Sequence, residues 1–138
     1  MQDCSSQPQQ RKPSALTIAG SDCGGGAGVQ ADLRVFNSLG LHGASVVTCV
    51  TAQNPSVVTA IQPTKVSVVE AQLDAVFGGL PVRAVKTGML FSRATVDAVA
   101  KRLAKRRGLQ LVVDPVMISS SGTPLLKSNA EAALAKRL

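Results

Sequence analysis

Short apolar runs alternate with amphipathic segments along most of this 138-residue chain. The runs at 16–19, 44–50, 84–87 and 111–113 are continuous or rich in β-branched residues, which is typical of strands covered on both faces. Between them, apolar residues recur at the three- and four-residue spacing of helices. Because strands that alternate with helices pair in parallel through right-handed crossovers, the sequence predicts an α/β fold with a mostly parallel central sheet.

Helix boundaries are indicated by capping residues at several points. The first helical stripe, 29–39, is directly followed by Gly40, and glycine is favoured just after a helix C-terminus. Ser67 and Glu70 have the spacing of a capping box before the second helix, and Ser92 is suited to cap the third. After the break at Asn54 and Pro55, a short β-prone stretch predicts a small flap of strand at the sheet edge.

The two ends of the chain differ in character from the middle. Residues 1–14 are rich in Gln, Ser and Pro, so we expect a disordered tail before a single domain at 15–138. The last amphipathic pattern reaches Leu138 with no stop signal, which predicts a truncated domain. A sheet of about four strands with its last helix facing nothing would expose an apolar edge, and self-association, such as a homodimer, would follow.

Charge and composition exclude several classes of function. The net charge is +7, but Trp and Tyr are absent and only three Phe could stack on bases, so no nucleic-acid partner is expected. The apolar runs are too short to span a bilayer, and no signal segment opens the chain. Three widely spaced cysteines fit neither a disulfide framework nor a zinc site. These features predict a cytoplasmic protein with reduced thiols and no membrane contact.

The glycine-rich loop at 21–28 leads from the first strand into the first helix, where free backbone N–H groups suit an anion or a close ligand. A P-loop is excluded because Gly-Lys-Ser/Thr does not occur. The dinucleotide fingerprint is matched only loosely, by Gly26, Gly28 and Ala31, and no acidic residue lies at 33–69 to bind a ribose. A tight turn that needs glycine for steric reasons alone is the alternative, and the loop by itself leaves both interpretations open.

Several segments resemble, in order, the sequence blocks of the hydroxymethylpyrimidine/phosphomethylpyrimidine kinases of thiamin biosynthesis, within the ribokinase-like superfamily. They are LTIAGSD at 16–22, GVQADL at 28–33, TAQN at 51–54, VKTGML at 85–90, VVDPVM at 112–117 and Ser-Gly at 121–122. The resemblance covers nearly everything from Leu16 onward. It implies a partial ribokinase-like three-layer sandwich, of which 15–138 is the N-terminal part.

The resemblance also implies the residues of a substrate site. The positions that match the family's pyrimidine-binding groups are Gly20, Asp32, Gln53, Met89 and Val116. A carboxylate can accept from an amino or hydroxymethyl group, an amide can donate and accept at ring nitrogens, and apolar side chains can sandwich the ring. By the same likeness, Asp114 faces the Mg²⁺ and phosphate region. Each position also has an ordinary structural explanation, such as helix-end charge for Asp32 or core packing for Met89.

The activity implied by the resemblance is ATP- and Mg²⁺-dependent phosphorylation of 4-amino-5-hydroxymethyl-2-methylpyrimidine and its monophosphate. The family's nucleotide segment and its glycine-rich catalytic loop have no counterpart in these 138 residues. We therefore assign no catalytic residue to the chain and expect it to be inactive alone, because phosphoryl transfer depends on positioning and charge stabilisation. The alternatives are a pyridoxal-type vitamin kinase and a non-catalytic fragment that binds a small molecule.

Overall fold

The computed structural model describes residues 13–118, 122, 125–126 and 128–138. The strands in this part of the chain are β1 (Ser14–Asp22), β2 (His42–Asn54), β3 (Val57–Pro63), β4 (Val82–Thr87) and β5 (Gln110–Val113). The helices are α1 (Gly28–Ser38), α2 (Val66–Gly79), α3 (Arg93–Leu103) and α4 (Ser128–Arg137). Strands and helices alternate as the sequence predicts, apart from the consecutive pair β2 and β3.

The strands form one sheet in the order β3-β2-β1-β4-β5. β1 pairs in parallel with β2 and β4, and β5 pairs in parallel with β4. β3 is antiparallel to β2 and forms one edge, which confirms the predicted flap. The turn between β2 and β3 is closed by the side chain of Asn54, which accepts hydrogen bonds from the backbone N–H groups of Ser56 and Val57.

The two faces of the sheet are covered differently, which gives three layers. Leu16 and Ile18 of β1 are fully buried in the main core, which α2, α3 and α4 share with β2 and β4. Thr17, which lies between them in sequence, points to the opposite face and donates a hydrogen bond to Asp32 of α1. The predicted α/β sandwich with a mostly parallel sheet is confirmed, and α1 packs on the face to which Thr17 points.

Some local predictions hold and others are wrong. Gly40 takes a left-handed φ of 73° after α1, and the hydroxyl of Ser92 accepts from the N–H of Thr95 at 3.3 Å, so both predicted helix ends are confirmed. The capping box at Ser67 is wrong, because α2 begins at Val66 after Lys65 and the serine lies inside the helix. α2 is instead held by the apolar side chains that it buries.

The ends of the domain also differ from expectation. β1 begins at Ser14, which is buried, so ordered structure reaches one residue into the predicted tail, whose residues 1–12 lie outside the described part of the chain. α4 does not face solvent, because Ala130, Ala133 and Leu134 pack in the main core. The exposed apolar edge lies at β5 instead, where Val112 is 63% exposed, so the prediction that the run at 111–113 is covered on both faces is wrong. None of the helices in the described ranges is both long and apolar enough to cross a membrane.

Candidate functional site

A cleft of about 240 Å³ opens where β1, β2, β4 and β5 end. Ligands of open α/β sheets bind outside the carboxyl ends of the strands, so the cleft occupies the expected position. Its lining includes every site residue that the sequence predicts, namely Gly20, Asp32, Gln53, Met89, Asp114 and Val116. The fold therefore brings together residues that lie up to 96 positions apart in the chain.

The glycine-rich loop is organised by Asp22 at the end of β1. Its carboxylate accepts hydrogen bonds from the backbone N–H groups of Gly24 and Ala27, each at 2.8 Å. Burial raises the pKa of this carboxyl, but these bonds and others from Gly26 and Gln53 outweigh it, so the net pKa lies below its ordinary value. Asp22 is thus an ionised cap that shapes the loop around the cleft.

Steric need explains some glycines of this loop and not others. Gly28 has a φ of 60°, and a Cβ added there would lie 2.3 Å from the carbonyl oxygen of Gly20. No side chain fits at that distance, so α1 approaches β1 closely only through glycine. At Gly26 an added Cβ would meet nothing closer than 3.7 Å, and its φ is not left-handed. Sterics therefore account for Gly28 but not for Gly26, where an added Cβ would make only an ordinary van der Waals contact.

Three charged side chains form an ion-pair network on the floor of the cleft. Lys86 Nζ lies 3.2 Å from both carboxylate oxygens of Asp32 and 3.3 Å from Oδ2 of Asp114. Asp32 Oδ2 also accepts from the Thr17 hydroxyl at 2.6 Å. Thr17 and Lys86 are register partners on adjacent strands, which places both beneath α1, where Asp32 is carried. The network is partly shielded, since the Asp32 and Lys86 side chains are 17% and 24% exposed.

Gln53 stands near the end of β2, where the pairing with β3 is irregular between Ala52 and Gln53. An irregularity of this kind re-aims a side chain. The backbone of Gln53 is fastened to the glycine-rich loop by Cys23, whose Sγ accepts from the Gln53 N–H at 3.2 Å and lies 3.1 Å from its carbonyl oxygen. Gln53 lines the same cleft as Asp32.

The apolar wall of the cleft is a small cluster separate from the main core. Met89 and Cys49 are buried in it together with Leu125, and Val116 packs against them. The Thr48 hydroxyl holds the wall in place by donating to the carbonyl of Met89 at 2.6 Å. Burial raises the pKa of the Cys49 thiol and outweighs the Thr48 hydroxyl, which lowers it. The thiol is fully buried and packs within this wall.

Four residues of the site were not predicted from the sequence: Asp22, Thr17, Lys86 and Cys23. An aspartate two residues before a glycine is a signal for a side-chain turn, so Asp22 was recognisable in principle. Thr17 and Lys86 acquire their roles only through strand register, and Cys23 only because its loop meets the end of β2, 30 residues away. Short-range sequence patterns carry no signal for such pairs.

Comparison with known proteins identifies the family. Residues 22–138 match the family model described as phosphomethylpyrimidine kinase. The chain belongs to the phosphomethylpyrimidine kinase family. It is 54% identical over 124 residues to the hydroxymethylpyrimidine/phosphomethylpyrimidine kinase of Rhizobium meliloti, covering 90% of this chain and 46% of that protein. It is 44% identical over 128 residues to the Escherichia coli enzyme of the same name, covering 93% and 48%.

Solved structures of related kinases share the fold. The phosphomethylpyrimidine kinase from Clostridium difficile 630 superimposes with a TM-score of 0.84 at 47% identity, over 91% of this chain and 55% of that one. The pyridoxal kinase from Staphylococcus aureus in complex with AMP-PCP superimposes with a TM-score of 0.77 at 32% identity, over 92% and 45%. The chain therefore has the ribokinase-like fold of these kinases and spans about half the length of the curated relatives it matches.

Proposed function

We propose that this chain supplies the substrate-binding part of a kinase that transfers the terminal phosphoryl group of ATP to 4-amino-5-hydroxymethyl-2-methylpyrimidine and then to its monophosphate. The observation that supports it is the convergence of Asp32, Gln53, Met89 and Val116 on one cleft at the carboxyl ends of the strands. A carboxylate, an amide and two apolar side chains are the groups that an aminopyrimidine requires. A cytoplasmic location is part of the same proposal.

Each side chain has a distinct task in this proposal. Asp32, fixed by Thr17 and Lys86, retains a free lone pair to accept from the exocyclic amino group. The amide of Gln53 donates to one ring nitrogen, and Met89 and Val116 enclose the ring faces. Gly20 lets β1 pack closely against the buried wall, since an added Cβ would lie 2.8 Å from Cys49 Sγ.

Asp114 is suited to the metal side of the reaction. Its side chain is 49% exposed and lies 3.3 Å from Lys86. Mg²⁺ in kinases is held by one or two carboxylates together with substrate phosphates, and the described residues contain no cluster of three metal-ligating side chains. One carboxylate at the mouth of the cleft fits such a partial set. When bound, ATP·Mg²⁺ supplies the phosphoryl group and neutralises charge at the phosphates.

Pyridoxal is the competing substrate class, because pyridoxal kinases share the fold at about 32% identity. The greater likeness to the pyrimidine kinases, at 44–54% identity in the two relatives described above, favours the pyrimidine. The test is isothermal titration of the chain with the pyrimidine alcohol and with pyridoxal. We expect the pyrimidine to bind at least roughly tenfold more tightly, which corresponds to about 1.4 kcal/mol.

Gln53→Ala provides the residue-level test. Removal of the amide leaves a ring nitrogen unpaired in a shielded cleft, and we expect the affinity for the pyrimidine to fall about tenfold or more. Gln62→Ala is the matched control, because Gln62 is exposed on the neighbouring strand β3 and does not line the cleft. Equal effects of the two substitutions, or a preference for pyridoxal, would overturn the proposal.

A further inference from the structure

The charges that line the cleft are unevenly divided. Among the described residues of the lining, Asp22, Asp32 and Asp114 are acidic and Lys86 is the sole cation. Asp22 already binds the N–H groups of its own loop. Asp32 and Asp114 share the single ammonium of Lys86 at 3.2 and 3.3 Å. The end of the cleft near Asp114 is therefore electronegative apart from this one side chain.

The two substrates of the proposed reaction interact differently with these charges. The pyrimidine alcohol carries no phosphate and meets no repulsion beside two carboxylates. Its monophosphate carries a charge of about −1.5 to −2 near neutral pH. Like charges in a partly shielded site repel strongly, since Coulomb energies there exceed those in water several-fold. Entry of the monophosphate therefore depends on a cation in the cleft.

The position of Lys86 suits that task. An ammonium has three N–H donors, so Lys86 can bind a phosphate oxygen while it keeps its bond to Asp32. The space beside Nζ is left open by Gly88, where an added Cβ would lie only 3.2 Å from the ammonium nitrogen. The partner that Lys86 would release is Asp114, the more exposed of the two carboxylates. The ammonium can thus turn towards the cleft mouth without moving the strand that carries it.

We infer that Lys86 is a specificity-determining residue that admits the phosphorylated pyrimidine to the same cleft as the free alcohol. The inference rests on the proposed function, because both ligands are its substrates. Lys86 contacts the phosphate of the monophosphate directly, whereas towards the alcohol it acts only by holding Asp32. Loss of the Lys86 charge therefore weakens binding of the monophosphate far more than binding of the alcohol.

The experiment is isothermal titration of the wild-type chain and of Lys86→Met with the pyrimidine alcohol and with its monophosphate. For Lys86→Met we expect the affinity for the monophosphate to fall roughly tenfold more than the affinity for the alcohol. Lys105→Met is the matched control: it removes the same charge from an exposed lysine outside the cleft and should leave the ratio of the two affinities unchanged.

A second variant keeps the inference testable if Lys86→Met misfolds, which far-UV circular dichroism would reveal. Asp114→Asn removes the competing carboxylate and keeps Lys86, so the monophosphate should gain affinity relative to the alcohol. The inference would be overturned if Lys86→Met lowered the affinity for both ligands equally. It would also be overturned if Asp114→Asn lowered the affinity for the monophosphate relative to the alcohol. Failure of the wild type to bind either ligand would overturn the proposed function. Binding of the alcohol alone would overturn the role of Lys86 and of the monophosphate, and would leave the alcohol as the substrate.

Discussion

Replacement of Gly28 by alanine probes the close approach of α1 to β1 that positions the cleft. The added Cβ would stand 2.3 Å from the Gly20 carbonyl oxygen, so helix and strand must part until the distance reaches at least 3.0 Å. The left-handed φ of 60° costs an alanine about 1–2 kcal/mol, and forced separation of packed elements costs roughly 1–3 kcal/mol. We expect Gly28→Ala to lower the free energy of unfolding by about 2–5 kcal/mol.

Substitutions at two other glycines distinguish the cost of the steric contact from the cost of the backbone strain. Gly40 has a similar φ of 73° but nothing within 4 Å of an added Cβ, so Gly40→Ala should cost only about 1–2 kcal/mol. Gly78 lies inside α2 with open space around it and no left-handed φ, so Gly78→Ala should stabilise the chain by about 0.5–1 kcal/mol.

The assay is urea unfolding followed by far-UV circular dichroism, because the chain has no Trp or Tyr for fluorescence. An equal loss of stability in Gly28→Ala and Gly40→Ala would refute the steric explanation, since the two positions share the backbone strain and differ in the contact. A thermal or urea midpoint of Gly28→Ala at or above the wild-type value would refute it outright.

Three further predictions test the loop, the cleft wall and the core. Because the pKa of Asp22 is lowered in the folded state, its carboxylate stabilises the fold fully above the unfolded pKa of about 3.9. This stabilisation is lost as the pH falls through the folded pKa. The urea midpoint of the wild type should therefore decline more steeply in acid than that of Asp22→Asn. Gly20→Ala should lower the free energy of unfolding by about 1–3 kcal/mol, because its Cβ meets Cys49 Sγ at 2.8 Å. In a double-mutant cycle, Cys49→Ala should recover about 1 kcal/mol of that loss. Strict additivity of the two substitutions would contradict the contact. Leu73→Ala should cost about 2–5 kcal/mol by cavity formation in the main core, whereas Val68→Ala on the exposed face of the same helix should stay within about 0.5 kcal/mol, both read from urea midpoints.

Much of the fold could be predicted because its signals are local. Continuous apolar runs located the strands, and the parallel order follows from the alternation with helices. The run at 111–113 formed a strand but is not buried, because β5 lies at the edge of the described sheet. The edge strand β3 was foreseen from its β-prone sequence after Asn54 and Pro55. The capping box at Ser67 failed because burial of Val69 and Leu73, and not a side-chain cap, fixes where α2 lies on the sheet.

The site was predictable only in part. Asp32 and Gln53 were identified through family resemblance, and their convergence on one cleft depends on β1 and β2 being neighbours. Lys86 was not assigned a role from the sequence. Its place between Asp32 and Asp114 follows from the register of β4 against β1. Register is set by the whole hydrophobic pattern, so no local motif reveals it.

The most direct test of the proposed site is a crystal structure of the chain with 4-amino-5-hydroxymethyl-2-methylpyrimidine. The ring is expected between Met89 and Val116, with its nitrogen atoms at hydrogen-bond distance, about 2.7–3.2 Å, from the side chains of Asp32 and Gln53. Density for the ring at any place out of reach of both side chains would contradict the assignment of this cleft.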